Sequence, residues 1–369
     1  MHPRIVMLVD LDYFFAQCEE RRNPSIKDKP VVVCVYSGRT EDSGAVSTAN
    51  YVARHYGVKS GIPISLAKKR LEGIESVFLP VDKPFYKQIS DSIMDVLRSY
   101  SDSFEQVSVD EAYLDVSKKS QNSYVAAKRL AKKIKNEIFN QQQLTFSVGI
   151  GPNKLVAKIA ADYQKPDGLT AVKPEDVIRF LAPLPVRSLV GVGKKTEKKL
   201  KSLNVHTIGH LAKFDVQKLV DLFGRKLGAY FHNSALGIDD DPVEERGDPE
   251  SIGRISTLKE DTQDLTVILD KANKLCEDVH SRLVAKGLFY KTVTIRVVAD
   301  NLEVHSRSNT IENPTNSLEI LKKEMKELFE KFLDESDVSA RRVGITVSSL
   351  SRKENQQKTI TSFFGGSNN

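Results

Sequence analysis

The sequence predicts an α+β protein with a wholly helical segment and a βαββαβ domain behind it. Three observations carry that expectation. Short apolar strands alternate with amphipathic helices up to about residue 171, only helical patterns follow from 172, and strands return beyond an acidic stretch at 238–250. At 369 residues the chain is too long for one ordinary core, so several domains are expected.

Ile5-Val-Met-Leu-Val9 is a short apolar strand ending in Asp10-Leu-Asp12, and a helical pattern starts at Tyr13, for which Asp12 suits the N-cap. Backbone N–H groups at the start of such a helix attract phosphate. Val31 to Tyr36 reads as a strand buried on both faces. Ser37 to Gly44 is a polar loop, and Ala45 to Gly57 is a short strand running into a helix on which Tyr51 and Arg54 share one face. A second short helix covers Ile64 to Leu71. This turn-rich block reads as a small subdomain inserted between strands.

Val77 to Pro80 returns to strand, and Phe85 to Tyr100 is an amphipathic helix. Phe104 to Ser117 then reads as two strands meeting at Val109-Asp-Glu-Ala112. Adjacent carboxylates at a strand turn are costly unless positive charge lies between them, and a divalent metal is the usual source. Taken alone, Asp110 and Glu111 fit a solvated acidic turn better. Asp10, expected on a neighbouring central strand, shifts the balance toward a metal site. Helix Tyr124 to Phe139, strand Leu144 to Gly151 and helix Asn153 to Tyr163 complete a mixed sheet covered by helices.

The helical segment 172–237 holds 12 Lys and Arg against 5 Asp and Glu, a larger excess than the +6 of the whole chain. Gly191 and Gly193 form a Gly-x-Gly turn followed by Lys194, Lys195, Lys198 and Lys199. That is a helix-hairpin-helix pattern, suited to gripping a DNA phosphate without reading sequence. Leu222 to Gly228 is a weaker echo. The acidic stretch 238–250, with seven acids against Arg246, offers almost nothing apolar to bury and reads as a linker. In the βαββαβ segment 251–351, Arg254, Lys291, Arg296, Arg307, Arg341 and Arg342 fall in or beside strands, so one sheet face is expected to be basic and to meet a nucleic-acid backbone.

Composition excludes other classes. No run approaches the roughly 18 apolar residues that span a bilayer, and no signal segment follows Met1, so a cytoplasmic location away from membranes is expected. Cys18, Cys34 and Cys276 are scattered and odd in number, as packing residues in a reducing compartment would be.

Over about residues 3 to 350 the chain resembles the Y-family, DinB-type translesion DNA polymerases, in particular their archaeal branch. The motifs are Val9-Asp-Leu-Asp-Tyr-Phe-Phe15, Ser37-Gly-Arg39, Thr48-Ala-Asn-Tyr-Val-Ala-Arg54, Ser108-Val-Asp-Glu-Ala-Tyr-Leu114, Asn153-Lys154 and Lys158 through Gly168. The resemblance implies a right-hand polymerase: a palm at 1–25 and 74–171, small fingers at 26–73, a thumb at 172–237, the linker at 238–250, a little finger at 251–351 and a tail at 352–369. It implies that Asp10, Asp110, Glu111 and the Leu11 carbonyl hold two Mg²⁺ ions, and that Glu111 lies near the primer 3′-hydroxyl. Tyr13, Phe14, Phe15, Tyr51, Arg54 and Lys165 are then the deoxynucleoside triphosphate residues, with Phe15 as steric gate and Phe14 or Phe15 also able to serve the core. Gly191, Gly193, Lys194, Lys195, Arg254, Arg296, Arg307, Arg341 and Arg342 would meet primer-template DNA.

The tail resembles the clamp-binding peptide Gln-x-x-aliphatic-x-x-aromatic-aromatic, with Gln357, Ile360, Phe363 and Phe364 in the named places, implying a PCNA-type sliding clamp as partner of a monomeric enzyme. Every segment is assigned without a proofreading exonuclease, so low fidelity is expected. Two other readings share some of these features. A nucleotide cyclase resembles the same palm but has no use for the thumb and the tail peptide, and a non-catalytic DNA adaptor has no use for the acidic trio.

Overall fold

β1 (Val6–Leu11) is buried along its whole length, as the apolar run up to Val9 demands of a central strand, and Asp10 is buried with it. In this computed structural model, which describes residues 4–352, it is followed by α1 (Phe14–Arg22), β2 (Val31–Tyr36), β3 (Gly44–Ala49), α2 (Tyr51–His55) and α3 (Ile64–Arg70). Next come β4 (Val77–Pro80), α4 (Lys83–Ser99), β5 (Ser103–Gln106), β6 (Glu111–Asp115), α5 (Tyr124–Gln142), β7 (Phe146–Gly151), α6 (Lys154–Tyr163) and β8 (Leu169–Ala171). The tail peptide with Gln357, Ile360, Phe363 and Phe364 lies outside the described residues.

Five strands form one sheet in the order β5-β6-β1-β7-β8, with β1 antiparallel to both neighbours. Side chains alternate across a strand, so the two faces of β1 have different partners. Met7, Val9 and Leu11 pack with Ile93 and Leu97 of α4 and Ala131 and Ile134 of α5. Val6 and Leu8 pack with Ala157 and Ala161 of α6. Asp10 continues this second face, which decides what can reach it. A smaller sheet, β3-β2-β4, pairs β2 parallel with β4 and closes over Ala53, Ile64 and Ala67.

The helical segment comprises α7 (Val177–Leu181), α8 (Lys194–Lys201), α9 (Ile208–Ala212), α10 (Val216–Phe223) and α11 (Arg225–Ala235) around Leu200, Ile208, Leu219 and Phe231. Gly228, the last residue of the glycine echo, lies where α10 and α11 meet; a Cβ there would come within 2.6 Å of the Leu219 and Val220 backbone. Only a glycine permits that approach.

The acidic stretch is not a free tether over its first half. Val243 is buried against Val6, Leu8, Ala157 and Ala161, worth about 1.5–3 kcal/mol if fully removed from water. Arg4 donates to the Asp241 carbonyl at 3.0 Å, Arg98 pairs with Glu245, and Arg246 lies 3.4 Å from Glu105. Of these contacts only the Arg98–Glu245 pair meets one of the stretch's own carboxylates; the others hold its backbone and Arg246 in place. The described chain forms two compact units that divide here: residues up to Val35 with Ala45–Arg246, and Tyr36–Gly44 with the chain from Gly247.

The second unit contains β9 (Ser251–Thr262), α12 (Leu265–Ala285), β10 (Leu288–Ala299), β11 (Val304–Thr315), α13 (Leu318–Asp334), β12 (Ala340–Ser348) and the two-residue β13 (Ser351–Arg352). Its main sheet runs β11-β10-β12-β9, so β12 fills the gap between β9 and β10 as in a split βαβ unit. Val293, Ile295, Val343, Ile345 and Val347 pack beneath both helices. The opposite face is rich in hydroxyls.

Register corrects the expected basic face. Arg296 pairs with Gly344 and Arg342 with Val298, and both are exposed on the open face. Arg254 lies opposite the buried Ile345 and Arg307 opposite the buried Ile295, so both point to the helix side. There they pair with Asp278 and Glu335. Arg341, at a bulge, is bound to Asp261 at 2.8 Å.

That hydrogen bond from Arg341 holds the Asp261 carboxyl down to about 2. Since the folded value lies below the ordinary one of about 3.9, the stabilisation is complete above about pH 4 and lost as pH falls through about 2. Asp261→Asn is expected to lower stability at neutral pH by under about 1 kcal/mol and to flatten the loss between about pH 4 and 2, read by urea unfolding across pH.

Candidate active site

Asp10 lies directly opposite Glu111 in the β1–β6 register, and the Leu11 N–H donates to the Asp110 carbonyl at 2.8 Å. Asp110 therefore sits not on the strand beside Asp10, as the sequence suggested, but in the turn that ends at β6. Its carboxylate accepts a hydrogen bond from the Ser108 hydroxyl. Glu111 takes the strand position, on the same sheet face as Tyr113 and Asp10.

Two like charges on paired strands need a cation, and α6 supplies one. The Lys158 ammonium lies 3.0 Å from Asp10 Oδ2 and 3.0 Å from Glu111 Oε2. Lys165, just beyond α6, lies 2.8 Å from the same Asp10 oxygen and 3.0 Å from Asp162. Burial pushes the Glu111 carboxyl up and Lys158 pulls it back, while Asp10 and Asp110 add to the rise. Burial alone would lower the Lys158 ammonium, but Asp10 and Glu111 outweigh it and hold the group well above its ordinary value. Lys165 is raised too, burial being outweighed chiefly by Asp10.

Lys158, first residue of the Lys158–Gly168 motif, is a residue of this cluster for which the motif alone implies no role. A signal for it exists in the sequence: Lys154 and Lys158 are one helical turn apart, and the structure sets them on Glu105 at 3.0 Å and on the Asp10–Glu111 pair.

Asp12 does not cap α1. Tyr13 occupies the cap position with φ 36° and ψ 43°, a left-handed conformation uncommon outside glycine, asparagine and aspartate, and α1 has no side-chain cap. The Asp12 carboxylate is buried against β7, accepting from Ser147 Oγ at 2.8 Å, Thr145 Oγ1 at 3.1 Å and the Asp167 N–H at 2.8 Å. Asp115, another acid near the site, accepts from the Ser117 N–H at 2.9 Å and closes a turn.

Asn50 caps α2 through the Ala53 N–H, with Tyr51 as its first residue and Arg54 in its last turn. The Arg54 guanidinium lies 4.9 Å from the Tyr51 ring centre, and Tyr51 meets Tyr13 edge-on at 5.2 Å. Burial pushes the Tyr51 hydroxyl up, with Asp12 and Asp10 contributing to the rise and Arg54 and Lys165 opposing it, so the two acids and the two cations all act on it. Phe14 is core, packed in the same cluster as Met7 and Ile93. Phe15 is half-buried and stacks on Tyr86, with ring centres 4.4 Å apart and planes 15° from parallel. The structure thus buries Phe14 in the core and leaves Phe15 half-exposed at its edge.

Gly191 has φ +85°, and Gly193 caps α8, whose first residues Lys194 and Lys195 are exposed. Lys199, grouped with them in the sequence, instead donates to the Leu222 carbonyl at 2.6 Å. Among the described residues no three His, Cys, Asp or Glu side chains are gathered as a ready metal site. The donor set of Asp10, Asp110, Glu111 and the Leu11 carbonyl is nonetheless all oxygen, which suits a hard divalent cation, and two ammonium groups converge on one of its members.

Known proteins resemble the chain over nearly its whole length. Residues 9–162 match the impB/mucB/samB family, 249–360 that family's C-terminal domain, and 187–239 a thumb domain of DNA polymerase-iota type. DNA polymerase IV of Nitrosopumilus maritimus is 47% identical, covering 99% of this chain and 100% of that one. DNA polymerase IV of Saccharolobus solfataricus is 40% identical over 93% and 96% of the two chains. A solved Y-family polymerase chimera of Dbh and Dpo4 superposes with a TM-score of 0.89 at 34% identity, over 95% of this chain and 100% of its own. An insertion ternary complex of Dbh DNA polymerase gives 0.68 at 34% identity with the same coverage. Likeness at this level over nearly the whole length places the chain in the Y-family, as a DNA-directed DNA polymerase of the translesion class.

Proposed function

We propose that nucleotidyl transfer takes place at Asp10, Asp110 and Glu111, with two Mg²⁺ ions as the divalent cofactor. Asp10 and Asp110 would hold both ions, the Leu11 carbonyl and Glu111 completing the oxygen set. When bound, such ions lower the pKa of the attacking 3′-hydroxyl and neutralise the leaving pyrophosphate. Glu111, next to Asp10 on the paired strand, orients the primer terminus. Lys165 leaves Asp10 by rotation of its flexible stem and joins Tyr51 and Arg54 on the triphosphate of the incoming deoxynucleotide, while N–H groups after Asp12, at Tyr13 and Phe14, assist. Phe15 lies against the sugar and leaves no room for a 2′-hydroxyl. The observation that carries this reading is the placement of Asp10 beside Glu111 on paired strands, with Asp110 in the adjoining turn.

Gly191, Gly193, Lys194 and Lys195 grip the primer-template backbone, with Arg296 and Arg342 added from the open sheet face. Arg254, Arg307 and Arg341 are engaged by acids of their own unit and contribute less. The tail peptide docks on a PCNA-type clamp, which raises the local concentration of a monomeric enzyme at the primer end.

Primer extension with Mg²⁺ tests the centre. Asp110→Ala is expected to lose about 10³-fold or more in incorporation rate while still binding primer-template, and full activity would refute the assignment. Lys165→Ala is expected to raise the deoxynucleotide KM by about 10-fold with little change in kcat, since charge-assisted hydrogen bonds are worth about 1.5–3 kcal/mol. DNA affinity is expected to fall with salt, and Lys194→Ala with Lys195→Ala should each reduce the log–log slope by about 1, as fluorescence anisotropy titrations can measure.

A further inference from the structure

A steric gate discriminates only if it cannot retreat. Phe15 is half-buried, and the face of its ring turned from solvent is covered by Tyr86 of α4, in near-parallel contact at 4.4 Å. Tyr86 is itself immobilised. It is 1% exposed, meets Phe14 edge-on at 6.5 Å, and donates its hydroxyl to Glu19 Oε1 at 2.7 Å. Glu19 is held in turn by Arg22, which lies 2.9 Å from Asp82 at the start of α4 and 3.5 Å over the Phe85 ring. The chain of contacts thus closes on the helix that carries Tyr86.

We propose that Tyr86 is a specificity-determining residue: it is the fixed wall behind Phe15, and the sugar selectivity of the polymerase depends on it although it touches no substrate. This rests on the reading of Phe15 as the gate. A 2′-hydroxyl adds one oxygen against the ring, and Phe15 could yield to it only by pushing into Tyr86. In a close-packed interior that displacement has nowhere to go. With a yielding side chain at position 86 the Phe15 ring can back away, and a ribonucleotide fits while the deoxynucleotide still binds.

The test is the ratio of incorporation efficiency for deoxynucleotide over ribonucleotide on one primed template. Tyr86→Phe keeps the flat wall and is expected to keep the wild-type ratio. Tyr86→Leu is expected to lower it about 10-fold through faster ribonucleotide incorporation, with deoxynucleotide incorporation retained. Tyr86→Met fills more of the volume with a pliable chain and should lower the ratio in the same way, which keeps the test available if the leucine variant does not fold. Phe15→Ala should lower it further, and Tyr86→Leu added to Phe15→Ala should do nothing more. An unchanged ratio in both the leucine and methionine variants, with Phe15→Ala relaxed, overturns the role of Tyr86 and leaves the gate standing. Equal losses for both sugars overturn it as well, since that is the mark of a merely structural residue. An unchanged ratio in Phe15→Ala removes the gate and Tyr86 together.

Discussion

Like charge across a strand pair is the constraint on which this molecule is organised. Asp10 and Glu111 are opposite one another in an antiparallel ladder, where side chains are close and repulsion is not relieved by water. Register makes the arrangement unavoidable, because the apolar residues before Asp10 and after Glu111 anchor both strands in the sheet. The protein answers with cations from α6 and the loop behind it. Lys158 joins the two carboxylates and Lys165 adds to Asp10. This acidic cluster is therefore built around a charge imbalance that the backbone imposes and side chains relieve.

The geometry of the sheet explains why α6 is the source of those cations. Alternation puts Asp10 and Glu111 on the face that packs against α6, while the opposite face is closed by aliphatic residues of α4 and α5. A lysine on α4 would have to cross the core to reach either acid. The first half of the acidic stretch shares this face through Val243 and is tied down by Arg4, Arg98 and Arg246. Val243 and the two acids thus share one face of the sheet.

Much of this could be read from the sequence, because strong periodicity reports burial directly. β1, α4, α6 and the βαββαβ order follow from apolar pattern, and Asp10 and Glu111 stand at the ends of readable strands. What pattern could not give was direction. An aspartate just before a helix is the usual cap signal, yet Asp12 turns to β7 because Ser147, Thr145 and the Asp167 N–H offer three donors in a buried site. The arginines of the second unit differ likewise: plain register turns Arg254 and Arg307 to the helix side, opposite buried Ile345 and Ile295, and at Arg341 a bulge that the composition does not reveal breaks the alternation. β8, three residues long, carries too few positions to show a period.

Asp12 also sets where motion is possible. Its carboxylate, 1% exposed and held by neutral donors alone among the described residues, joins β1 to β7 and to the loop that carries Lys165. Pulling these segments apart would strand a buried charge, a cost of several kcal/mol. The backbone beneath the acids should consequently be among the last parts of the chain to open and exchange its amide protons with solvent. Rearrangement at the centre is left to long, flexible side chains, and lysine, with four methylenes and a mobile charge, is the residue type best made for it.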